Sequence, residues 1–85
     1  MRIVISSGHG LYVRGASALI DEVDEARKVV PAVVEFLRAR DNEVVEFHDD
    51  VSTTQSANLN WIVNHHNAEV RDLDVSVHFQ CVYAY

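Results

Sequence analysis

The chain has 85 residues, a net charge of -6 with seven scattered basic residues, and a single cysteine, Cys81. These values bound it to one domain over residues 1–85 and exclude an internal disulfide. They also argue against nucleic acid and anionic membrane surfaces as partners, since an acidic chain is repelled by both. No apolar run reaches the roughly 20 residues of a membrane span.

Arg2 to Ser6 reads as a short buried strand rich in Ile and Val. The opening "MRIVISSGHG" is too short for a secretion signal, so a cytoplasmic location is expected for the chain as expressed. Ser7 to Ile20 reads as a long polar loop holding Gly8, Gly10 and Gly15. Loops of that length in small domains are usually functional or mobile. A helix is expected from about Asp21 to Arg40, with Ala26, Val29, Val30, Val33 and Leu37 as its apolar face. Its first turn is acidic and its last basic, as the helix dipole favours. Pro31 interrupts it; an internal proline removes a hydrogen bond and costs about 3 kcal/mol, so a kink or two segments are expected.

Asp41-Asn42 makes a turn, and Glu43 to Phe47 reads as a second strand. Ser52 and Gln55 have the spacing of a capping box ahead of a second helix, whose inner face would carry Leu59, Ile62, Val63 and His66. His66 is expected to pack, and Trp61 to be a partly exposed anchor. Leu73 to Phe79 alternates as a third strand. The fold class is α/β: a short parallel sheet in βαβαβ order with two helices, layered on both sides.

Every strand of a parallel sheet ends on the same edge, and ligands bind beyond that edge. His9 follows the first strand, His78 closes the third, and Glu22 opens the helix after the first loop. Topology therefore brings His9, Glu22 and His78 together. Two imidazoles and a carboxylate, with one position left to water, make a catalytic zinc set, so Zn2+ is the expected cofactor. Taken singly, each has a plainer reading: His9 as a polar loop residue, Glu22 as a first-turn carboxylate, His78 as a packed histidine. His48 ends the second strand with Asp49 and Asp50 beside it, as an extra ligand, a proton donor or a solvated loop residue. Cys81, near the edge, reads as a free thiol, with a zinc-binding thiolate as the alternative. No serine or cysteine nucleophile signature appears, and "GHGLYVRG" lacks the spacing of a dinucleotide fingerprint.

The stretches "RIVISSGHG", "IDEVDEA", "DDVSTTQSANLN" and "RDLDVSVHF" resemble the zinc-dependent N-acetylmuramoyl-L-alanine amidases of the bacillus and phage lytic type, over Arg2 to Phe79. The resemblance implies hydrolysis of the amide between muramic acid and the first alanine of peptidoglycan. It implies zinc held by His9, Glu22 and His78. The family's later half, with its general-base glutamate, has no counterpart here, so His48, Asp50 or a residue from a second chain is the expected replacement base. The tail "HFQCVYAY" also departs from the family. Codons AAT GCG TA after Phe79 would become CAA TGC GTA, Gln-Cys-Val, on insertion of one C, so a frameshifted, truncated amidase is expected.

A half-domain exposes apolar surface and strand edges. A homodimer or larger oligomer through the sheet edge or a sheet face is therefore expected. The substrate would be peptidoglycan or a small activated ester or phosphoester. The alternatives are a zinc-binding remnant without activity and a wall-binding module.

Overall fold

The computed structural model describes residues 1–14 and 21–79. Gly15, Cys81 and the frameshift expected after Phe79 lie outside them. The elements run β1 (Arg2–Gly10), α1 (Glu22–Arg38), β2 (Glu43–Asp49), α2 (Gln55–Asn67) and β3 (Leu73–Val77). The three strands are parallel in the order β2-β1-β3, so β1 is central. The chain steps from β1 to β2 in one direction and then crosses back over β1 to β3. With crossovers of one hand, that reversal puts the two helices on opposite faces of the sheet.

The α1 face holds the apolar core. Ile3 and Ile5 of β1 and Val44 of β2 meet Val30 and Val34 of α1, with Val33, Leu37, Val75 and Val77 around them. Burying each such Val or Ile stabilises the fold by about 1.5–3 kcal/mol. The α2 face is largely polar. Phe47 packs edge-on against Trp61 and His65. Buried His66 joins Ser6 of β1 to Asp74 of β3, each at 2.9 Å.

Several local expectations are corrected. The first strand does not stop at Ser6 but continues to Gly10, because its edge pairs with β2 again at Gly10–Asp49. Helix α1 is one helix through Pro31 and not two segments, and Pro31 itself is exposed. The buried face of α1 is Val23, Ala26, Val30 and Val34, and Val29 and Val33 sit at the margin.

Helix α2 is capped by Thr54, which accepts from the Ala57 N–H, and not by Ser52. Ser52 is taken by Asp49, whose carboxylate accepts its backbone N–H at 2.9 Å. The inner face of α2 keeps His66, which is buried as expected, but Leu59 and Val63 are exposed and Asn58 is buried instead. Asn58 donates to Asp49 at 2.9 Å and His66 bonds Ser6 and Asp74, so polar ties and not apolar matching set the rotation of this helix. Trp61 is partly exposed, as expected, and stacks on His65 with centroids 3.8 Å apart.

Candidate metal centre

The site lies at the carboxyl edge of the sheet. Between Ser6–Phe47 and Gly10–Asp49, β1 advances four residues while β2 advances two. This bulge redirects the side chains it carries. Within it, His9 has φ 58°, in the left-handed region, whereas no described glycine does. A non-glycine residue there costs on the order of 1–3 kcal/mol. The strain falls on the histidine, and the glycines beside it serve another purpose.

That purpose is space. A Cβ on Gly8 would stand 2.3 Å from two ring atoms of His78. The His78 ring therefore lies directly over the β1 backbone, a position open only because residue 8 has no side chain. A Cβ on Gly10 would stand 3.0 Å from the Asp49 carbonyl oxygen and 3.1 Å from the Asn58 amide. Gly8 thus admits a ligand, and Gly10 admits the loop that follows β2.

Glu22 arrives from the other side. Asp21 caps α1 by accepting from the N–H groups of Val23 and Asp24. Arg14 clamps this helix start, reaching Asp21 and Asp24, each at 2.9 Å. Burial pushes the Asp21 carboxyl up, but bonds from the Asp24 N–H and Arg14 outweigh it and hold the group below the ordinary range. The next residue, Glu22, is turned inward and is 6% exposed.

The three side chains meet. His9 Nε2 is 3.0 Å from Glu22 Oε1, and His78 Nδ1 is 3.6 Å from the same oxygen. The imidazoles stand edge-on, with centroids 5.4 Å apart. One donor atom from each residue lies within 4.8 Å of the other two, so His9, Glu22 and His78 could hold a metal ion. Ser76 contacts the remaining nitrogen of His78, with Oγ to Nε2 at 3.0 Å, which fixes the ring with Nδ1 toward the group.

The other residues singled out in the sequence lie outside this group. His48 is held between Ser7, at 2.7 Å from Nδ1, and Glu46, which contacts Nε2. Asp50 is exposed and paired with Arg27. Asp49 is buried and organises the loop: its carboxylate accepts from the N–H groups of Val51 and Ser52 and from Asn58. Burial pushes this carboxyl up, but those bonds prevail and hold it below its usual value.

The sequence reading missed the roles of Gly8 as a cradle and of Ser76 as a brace. The two-residue alternation of β3, which places Ser76 and His78 on one face, carried the second signal. Ser6, His66 and Asp74 have the connectivity of a nucleophilic triad. Ser6, however, is 0% exposed beneath α2, so this chain ties the helix to the sheet.

Among the described residues, these features define a small α/β fold of three parallel strands and two helices with a two-histidine, one-carboxylate group at the carboxyl edge of the sheet. No family model matches the chain. It is similar to an uncharacterized 38.4 kDa protein of Clostridium perfringens, at 36% identity over 86 residues, covering 98% of this chain and 24% of that protein. The chain thus spans about a quarter of the length of the curated relative it matches. Among the described residues, no helix is long and apolar enough to cross a membrane.

Proposed function

We propose that the chain is a zinc-dependent hydrolase of N-acetylmuramoyl-L-alanine amidase descent. It would act on the amide of peptidoglycan or on small activated esters and phosphoesters. The observation that carries this reading is the convergence of His9, Glu22 and His78. Donors about 2.0–2.1 Å from a tetrahedral zinc are about 3.3 Å from one another. The two separations to the Glu22 oxygen, 3.0 and 3.6 Å, bracket that value, and the three donors lie within 4.8 Å of one another. Neutral imidazole and carboxylate also suit this ion.

A dication held there would acidify a bound water and polarise the substrate's carbonyl or phosphoryl oxygen. The chain's own residues do the rest. Glu22 supplies the buried negative charge, and Ser76 holds the His78 ring. His78 is half exposed, with 52% of its side chain open, so the edge admits a substrate without a deep cleft. His48, oriented by Glu46, is the proposed proton carrier, with Asp50 as the second candidate.

A metal-holding remnant without turnover is the second reading. It is favoured by the engagement of both His48 nitrogens and by the pairing of Asp50 with Arg27. The test has two readouts. Zinc stoichiometry is measured by atomic emission on the purified chain and on His78→Ala. Hydrolysis of a muramoyl-alanine amide and of an activated ester is measured with and without chelator. Metal with chelator-sensitive turnover supports the hydrolase. Metal without turnover selects the remnant, and failure to bind zinc refutes both.

A further inference from the structure

Helix α1 carries a second apolar stripe, which adjoins the one that packs on the sheet and shares Val33 and Leu37 with it. Val29, Ala32 and Phe36 follow one another at spacings of three and four residues, with Val33 beside them. Ala32 is exposed and Phe36 is 54% exposed. With Lys28 and Leu37 they line a shallow groove on the outer side of the helix. At 100° per residue the stripe is centred about 120° from the buried face of Val23, Ala26, Val30 and Val34. No segment among the described residues provides apolar cover for it.

The two ends of the stripe carry opposite charges. Glu25 lies one turn before Val29, and Arg40, in the turn just past the end of α1, folds its side chain back over Phe36. Glu25 is held by Lys28 at 3.0 Å. Arg40 lies over the Phe36 ring, 3.4 Å from its centroid, and donates to the Phe36 carbonyl. Residues 25, 29, 32, 36 and 40 therefore read acid, apolar, apolar, apolar, base.

Such a stripe is complementary to its own reverse. Two copies laid antiparallel about a two-fold axis between Ala32 and Val33 set Glu25 against Arg40, Val29 against Phe36, and Ala32 against Val33. The pairing is isologous, so each contact occurs twice. The spacing is that of a shallow-angle helix pair. Alanine at the crossing lets the backbones approach closely, and the antiparallel arrangement also opposes the helix dipoles favourably.

We propose that the outer stripe of α1 is the surface on which two copies of this chain associate. This assigns the interface to a helix and not to the sheet edge or face, and it does not depend on the metal centre. One helix pair buries less than the roughly 800 Å² per partner of a standard interface, so the dimer depends on concentration.

Sedimentation equilibrium across about 1 µM to 1 mM tests it. The mean mass should rise toward that of two chains. Ala32→Glu, which places two carboxylates at the axis of an exposed position, should raise the dissociation constant at least about tenfold. Glu25→Arg and Arg40→Glu should each weaken the dimer, and the double variant should restore it to within about threefold. Val63→Glu, in the groove between α2 and β3, should leave it unchanged. Circular dichroism checks folding, and Phe36→Ser replaces Ala32→Glu if that variant unfolds. A monomer at every concentration, a dimer indifferent to the α1 variants, or a charge swap without rescue overturns the proposal.

Discussion

Gly8→Ala separates the proposed metal centre from the fold more cleanly than replacing one of His9, Glu22 and His78. The new methyl would begin 2.3 Å from two His78 ring atoms and 2.7 Å from a third. Unbonded carbons rest about 3.5–4.0 Å apart, so the ring must withdraw by more than about 1 Å. The β1 backbone around Gly8 is anchored on its flanks, at Ser7 to β3 and at Ser6 and Gly10 to β2, so it yields less readily than a side chain. The His78 side chain can move, since it is half exposed and follows the last residue of an edge strand. The swing breaks the Ser76 contact and removes Nδ1 from Glu22.

Stability should change by less than about 1 kcal/mol, because alanine is itself better than glycine in a strand by about 0.5–1 kcal/mol. Zinc affinity should fall at least about 10- to 100-fold, the range seen when a ligand loses its support. Competition against a chromophoric chelator gives the affinity, and urea unfolding without metal gives the stability. If Gly8→Ala binds zinc as tightly as the parent, with His78 imidazole resonances unmoved, the cradle argument is wrong.

Ser76→Ala should weaken zinc about tenfold while Ser76→Thr retains most of the affinity, read by the same competition. His9→Gly should abolish tight zinc binding yet raise the urea midpoint, because it relieves a left-handed backbone worth on the order of 1 kcal/mol. His66→Ala should cost about 2–3 kcal/mol in urea unfolding, since it leaves the Ser6 hydroxyl buried without its partner. Asp49 gives a pH signature. Its carboxyl is depressed in the folded chain, so its contribution is complete above the ordinary aspartate value near 3.9 and is lost as pH falls through the folded value. The urea midpoint of the parent should drop over that acid range, and Asp49→Asn should start lower and drop less.

The order of the elements, the parallel sheet and the convergence of His9, Glu22 and His78 could all be read from the sequence. Alternating Val and Ile runs, helical spacing and connection lengths are local properties, and a parallel sheet sends every strand end to one edge whatever the side chains do. The face of α2 was legible only in part: His66 packs as its position suggests, while the buried tie of Asn58 turns Leu59 and Val63 outward. The polar ties of this helix join residues up to 60 positions apart, a separation at which periodicity carries no information.

The meaning of the glycines was decided in the same way. "SGHG" announces a close approach, but only packing decides that Gly8 faces the His78 ring while the unusual backbone angle falls on His9. Chain-local chemistry determined which side chains could serve this protein. Contacts between distant segments decided which of them meet, since burial and hydrogen bonding are settled by whatever the fold brings into reach.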